Sequence, residues 1–156
     1  MTDEAFAQAI TAMTRTLYRV CYTQLRNGRD REDAVQEALC RAWEKRHQLR
    51  EERYLNTWII RILINECRNI QRKSRNDEEL IDIPESPPDI DRELHDAILG
   101  LPEKLRLPIV LHHMEGYRVK EVASILRVPQ GTVKTRLAAG RRELKQQLSD
   151  GGEMIC

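Results

Sequence analysis

Midway along the chain, the twenty residues DEELIDIPESPPDIDRELHD (Asp77–Asp96) hold nine acidic side chains against one basic, with three prolines at Pro84, Pro87 and Pro88. Proline removes a backbone donor and pushes the residue before it out of the helical region. The middle of the stretch shows no helical period, so one continuous bundle cannot run through it. The chain is therefore expected to form two small domains joined by an acidic, flexible linker. Its 156 residues suffice for two such units. The formal net charge of the whole chain is only +1, yet the residues outside this stretch comprise 25 basic and 16 acidic ones, a net of +9. A basic protein is thus interrupted by an acidic segment. That segment is either a solvated spacer or a stretch whose charge mimics nucleic acid and competes for a basic channel.

Only seven residues are aromatic, against 40% hydrophobic and 33% charged, a composition that suits helical bundles better than a β-sandwich. No run approaches the roughly 18 apolar residues of a membrane span. The start, MTDEAFAQAITAM, is acidic where a secretory signal would be basic. A cytoplasmic protein without membrane insertion is expected. Cys21, Cys40, Cys67 and Cys156 are widely spaced and form no C-x-x-C pair. Two of them fall on apolar helix faces, which points to buried free thiols rather than a redox or metal site. His112 and His113 lack ligand partners at useful spacing. No metal, cofactor or catalytic residue is expected.

The period of 3.6 residues organises the first half into three helices. One is expected from about Glu4 to Leu25, burying Phe6, Ile10, Met13, Leu17, Val20 and Cys21. NGRD interrupts it, and Asp30 is a suitable N-cap for the next helix. There Ala34, Val35, Ala38, Leu39, Ala42 and Trp43 form a core stripe, while Asp33, Gln36, Glu37, Arg41 and Glu44 face outward. A third helix is expected from about Thr57 to Lys73, with Trp58, Ile59, Ile62, Leu63, Cys67 and Ile70 on its apolar side. Arg61, Asn65, Arg68 and Arg72 recur at i, i+4, i+7 and i+11 with Asn69 beside them, a stripe under a quarter-turn wide. Guanidinium groups suit phosphates, asparagine can pair with a base edge, and Tyr54 upstream offers a stacking surface. A solvated face explains the same polar pattern.

In the second half, Leu94, Ile98, Leu101, Leu105, Ile109 and Val110 mark two more helices, parted by LPEK with Pro102 suited to a first turn. EGYRVKEVASILRVPQGTVKTRLAAGRREL then has helix-turn-helix form. Val119, Val122, Ala123 and Leu126 line the first helix, and RVP makes the turn. The second begins near Gln130 and buries Val133, Leu137 and Leu144, with Gly140 where another element could approach. Lys134, Thr135, Ala138, Arg141, Arg142 and Lys145 share one exposed, mostly cationic face, of the kind that enters a major groove. Arg136 and Thr132 lie on its flank, better placed for phosphates.

Taken together, DREDAVQEALCRAW, NTWIIRILINECRNIQRK and LPEKLRLPIVLHHMEGYRVKEVASILRVPQGTVKTRLAAGRREL resemble regions 2.2, 2.3–2.4 and 4 of the extracytoplasmic-function (group IV) bacterial sigma factors. The resemblance implies an all-α fold with three parts: region 2 over residues 1–76, an acidic linker over 77–91, and region 4 over 92–150. Asp33, Gln36, Glu37 and Arg41 would then bind the clamp helices of the polymerase β′ subunit. The loop from Arg46 to Leu55 with Tyr54, and the stripe of Arg61, Asn65, Arg68, Asn69 and Arg72, would open and read the −10 element. Lys134, Thr135 and Ala138, with Gln130, Thr132, Arg136 and Arg141, would read the −35 element. Core RNA polymerase (β′ clamp helices and β flap), promoter DNA and an anti-sigma factor are the implied partners. Pro129 stands where the family often has a serine cap, and Ala139 where a second arginine is frequent. Two rivals remain. A helix-turn-helix repressor or activator leaves the Asp33 face and the Asn65 stripe without a role. A nucleic-acid enzyme would need a carboxylate cluster or phosphate loop that the sequence does not display.

Overall fold

A computed structural model of the chain describes residues 1–74 and 91–151, and these fall into two compact units. Apart from Asp91, the expected linker at 77–91 lies outside the described residues. Every regular element among the described residues is helical.

The first unit holds α1 (Asp3–Ala12), α2 (Thr14–Tyr22), α3 (Gly28–Glu44) and α4 (Leu55–Ser74), with two short 3₁₀ turns at Arg46–Gln48 and Glu52–Tyr54. Thr2 caps α1 by accepting from the Ala5 amide at 3.1 Å. The single helix expected from Glu4 to Leu25 is broken at Met13. Just before the break the Thr11 hydroxyl donates to the Ala7 carbonyl at 2.7 Å, the back-bonding that loosens a helical ladder. The apolar period survives the break: Phe6, Ile10, Met13, Leu17, Val20 and Cys21 are all buried.

The cap expected at Asp30 belongs to Asn27, whose Oδ1 accepts from the Arg29 amide at 2.8 Å. The reason lies one turn on. Arg31 is buried, donates to the carbonyls of Leu25 (3.2 Å) and Arg26 (3.1 Å), and stacks 4.2 Å from the Tyr22 ring. This draws the first turn of α3 back against the end of α2, and the helix starts three residues early. Burial and the neighbouring Asp33 hold the Asp30 carboxyl above its usual range.

Helix α4 packs principally along α3. Its buried face comprises Ile59, Ile60, Leu63, Ile64 and Cys67, while Trp58, Ile62 and Ile70 of the expected face are only half-buried. The core arc is thus rotated and widened, because α2 and α3 both cover this helix. Phe6 sits 6.2 Å from Trp43 and 6.0 Å from Trp58, joining α1, α3 and α4.

Cys21 and Cys67 meet in this core with sulfurs 3.8 Å apart, both as free thiols. The contact with Cys67 and burial push the Cys21 thiol far up, so it stays protonated. Cys40 is free and exposed. An aromatic disulfide reagent is expected to titrate Cys40 rapidly in the native protein, and Cys21 and Cys67 only after denaturant. Fast native reaction of Cys67 would contradict this packing.

The second unit holds α5 (Arg92–Leu99), α6 (Glu103–Ile109), which runs on into a π turn at Val110–Met114, then α7 (Val119–Leu126) and α8 (Gln130–Gly151). Asp91 caps α5 through the Glu93 amide at 3.0 Å. Leu94, expected in the core, is 37% exposed, and the neighbouring His95 is fully buried instead. Leu105 is half-buried and Leu107 takes the deeper place. Pro102 is the N-cap of α6 rather than a first-turn residue. Pro108 lies within α6, where it removes one ladder donor just before the helix widens into the π turn.

Helix α7 opens with the Arg118 amide donating to Glu121 Oε1 at 2.9 Å and ends on Arg127 in the left-handed region (φ 57°). Val122, Ala123 and Ile125 are buried, with Val119 and Leu126 at the margin. Val133 and Leu137 anchor α8, and Leu144 is half-buried. Gly140 is buried where α8 crosses α6: a Cβ there would stand 2.7 Å from Ile109 Cγ1.

Candidate nucleic-acid interface

In the second unit, α8 sets out its cations by helical period. Lys134, Thr135, Arg141, Arg142 and Lys145 are exposed, with Gln130 at the leading end. Ala138, Thr132 and Arg136 are half-buried. Ala138, Arg141, Arg142 and Lys145 line a shallow hollow of about 320 Å³. The small side chain at 138 makes the hollow, and three cations ring it. Arg141 Nη1 lies 3.4 Å from His113 Nε2. Burial, then His112 and Arg141, hold His113 below the usual histidine range. Within the same turn His112 Nδ1 lies 2.7 Å from the Tyr117 carbonyl.

In the first unit, α4 carries the other stripe. Asn65, Arg68 and Arg72 are exposed, and Arg61 and Asn69 are half-buried. From Arg61 to Arg72 the helix rises roughly 16 Å. Arg72 Nη2 donates to Asn69 Oδ1 at 2.7 Å, so this amide is oriented by its neighbour. Tyr54 is 50% exposed, with the Arg53 guanidinium 4.8 Å from its ring centre and Arg53 itself held to Glu51 at 3.0 Å. The loop leading to it is pinned at its start by Arg46, which lies 3.9 Å over Trp43 and pairs with Asp3 at 3.1 Å.

On α3, Asp33, Gln36 and Glu37 are exposed and Arg41 is half-buried. Asp33, Glu37 and Arg41 share a cleft of about 650 Å³ with Glu66, Asn69, Ile70, Arg72 and Lys73 of α4. Two faces treated separately in the sequence therefore meet along one groove. Gln36, Asn65 and Arg68 lie outside it. Arg41 is spent largely inside the protein: its Nε stands 2.6 Å from Glu66 Oε1 and 3.2 Å from Glu37 Oε1. Sequence reasoning missed Glu66, which is buried, and Lys73, which is exposed. Helical period does place both at the border of the polar stripe, the one available signal.

Residues 9–76 match the family model for sigma-70 region 2, and residues 91–144 the model for sigma-70 region 4. The ECF RNA polymerase sigma factor SigW of Bacillus subtilis is 30% identical, the match covering 95% of this chain and 91% of that one. The ECF sigma factor SigM of Mycobacterium tuberculosis is 27% identical, covering 92% and 77%. Among solved structures, the sigma factor RpoE of Bartonella quintana, in complex with the anti-sigma factor NepR, has a TM-score of 0.83 at 24% identity. That match covers 94% of this chain and 98% of RpoE. CnrH, in complex with the cytosolic domain of CnrY, has a TM-score of 0.74 at 20% identity, covering 97% and 92%. With a helix-turn-helix unit and a region 2 bundle in one chain, and a relative this similar over almost its whole length, the protein belongs to the ECF RNA polymerase sigma factors of the sigma-70 family.

Proposed function

We infer that this sigma factor selects promoters through two separate DNA contacts and a third contact with core polymerase. The exposed cationic face of α8 (Lys134, Thr135, Arg141, with Gln130, Thr132, Arg136 and Ala138) reads duplex at −35. Tyr54 and the α4 stripe (Arg61, Asn65, Arg68, Asn69, Arg72) hold the opened −10 strand, with aromatic stacking and phosphate contacts offsetting the few kcal/mol of unstacking. Asp33, Gln36 and Glu37, with Arg41, meet the β′ clamp helices, and region 4 meets the β flap. The carrying observation is that the α3 carboxylates Asp33 and Glu37 and two residues of the α4 stripe, Asn69 and Arg72, line one cleft, since a simple helix-turn-helix repressor has no use for it. In this reading the protein acts in the cytoplasm and has no catalytic activity of its own. The regions assigned are 1–76, 77–91 and 92–150. RpoE was solved with the anti-sigma factor NepR bound, and an anti-sigma factor covering the same surfaces is the corresponding control here.

Run-off transcription with purified core polymerase on a promoter library tests the reading directly. Lys134→Ala is expected to lower promoter-specific transcription roughly tenfold, the effect of losing one good base contact, while core retention stays within about twofold. Equal losses in both assays would count against the α8 assignment.

A further inference from the structure

One acidic group that lines the cleft is buried rather than presented at its surface. Glu66 lies between Asn65 of the stripe and Cys67 of the core, is buried, and has a side chain only 9% accessible. A carboxylate in such a place needs a partner, because desolvation of an uncompensated charge costs several kcal/mol. The partner is Arg41 of α3 at 2.6 Å. Arg41 is also claimed by Glu37 at 3.2 Å, one turn earlier on the surface of α3. One cation therefore serves two acids, one buried on the DNA-reading helix and one exposed on the polymerase-facing helix. On α4, Glu66 is the i,i+3 neighbour of Asn69, and both line the cleft.

We propose that Glu66 is a positioning residue for −10 recognition, acting through Arg41 to couple engagement of the α3 surface to the setting of the α4 stripe. This rests on the assignment of α3 to polymerase and of α4 to the −10 strand. Arg41 already stands nearer Glu66 (2.6 Å) than Glu37 (3.2 Å), and when a basic group of the polymerase takes up Glu37, Glu66 becomes its one remaining acidic partner. That fixes α4 against α3 at the turn carrying Asn65 and Asn69. In the free protein Arg41 shares its charge between the two acids, and release of Glu37 concentrates it on the α4 pair. The coupling is reciprocal: whatever strengthens the Arg41–Glu66 pair releases Glu37 for its partner.

The test uses the full chain with core polymerase and a consensus promoter, and reads three quantities: core affinity, reactivity of −10 thymines to permanganate, and chemical unfolding of the free protein. Glu66→Gln keeps the shape and removes the charge. At saturating core it is expected to lower −10 opening roughly tenfold, the scale of a charge-assisted contact, with Glu66→Asp recovering part of it. Glu37→Gln is expected to weaken core binding by one factor in the wild-type chain and by another in the chain already carrying Glu66→Gln, the two differing by about threefold or more. Opening by Glu66→Gln equal to wild type, or additive effects of the two substitutions on core binding, overturns the proposal. So does a loss of opening that follows the loss of free-protein stability alone. Asn65→Ala and Arg68→Ala serve as the separate control: if they also open the promoter normally, the assignment of the stripe fails, and the role of Glu66 fails with it.

Discussion

Replacing Gly140 by valine is expected to destabilise the C-terminal unit strongly while leaving the N-terminal unit folded. The crossing of α8 over α6 leaves no room for a side chain: a Cβ would sit 2.7 Å from Ile109 Cγ1 and 3.0 Å from Ile109 Cδ1. Ile109 is itself buried, so it cannot swing aside into solvent. Two effects oppose each other. Removing a mid-helix glycine gains up to about 1 kcal/mol of helix propensity, less for a β-branched replacement. Overpacking a tight core costs about 1–3 kcal/mol, and valine adds two further carbons beyond the one that already clashes. The net cost is expected near the upper part of that range, about 2–3 kcal/mol, a large fraction of the stability of a unit of about 60 residues. Thermal unfolding followed by circular dichroism should show the C-terminal unit melting earlier than in the wild type, with −35-dependent transcription reduced. Core polymerase should still be retained through the N-terminal unit. A variant that unfolds no earlier than wild type would mean that the helices do not cross this closely.

Much of this crossing was legible beforehand. Glycine in the middle of a strongly periodic helix already marks a close approach, and the exposed face of α8 followed from counting 100° per residue. The departures share a cause. The break at Met13 goes with the Thr11 hydroxyl bonding the Ala7 carbonyl, and the start of α3 moved from Asp30 to Asn27 because Arg31 bonds two carbonyls at the end of α2. His95 is buried where Leu94 was expected, and Glu66 is buried beside the polar stripe. Each turns on a polar side chain rather than an apolar one, with bonds close in sequence for Thr11 and Arg31 and a partner on another helix for Glu66, and hydrophobic period carries no record of such bonds. The period of a sequence shows which positions are apolar. It does not show that a guanidinium or carboxylate will be taken inside because another helix supplies its counterpart. The same blindness kept the two faces of the first unit apart in the sequence. Asp33 and Arg72 are nearly forty positions apart, and only the pairing of α3 with α4 brings them to one cleft.

That cleft sets up the strongest functional test, reversal of Asp33 and Glu37 to arginine in one variant. Both carboxylates are exposed on α3, so neither is needed for the core. The pair that Glu37 makes with Arg41 at 3.2 Å is half-exposed and contributes under about 1 kcal/mol to stability. Arg41 retains Glu66 at 2.6 Å after the change, so the region 2 fold is expected to persist. At an interface the arithmetic is different. An acidic face that meets a basic helix loses its attraction and acquires like-charge repulsion, which costs several kcal/mol. Since about 1.4 kcal/mol is a factor of ten, affinity for core polymerase is expected to fall at least about a hundredfold. The loss should shrink as salt is raised, because exposed charges are screened within about 10 Å at 0.1 M. Duplex binding at the −35 element, which the proposed function assigns to α8, should not change. Measuring core affinity by fluorescence anisotropy at two salt concentrations, beside −35 duplex binding, separates the possibilities. Core affinity indifferent to the reversal would remove α3 from the polymerase interface. A matching loss in duplex binding would mean that the two units are not independent in recognition.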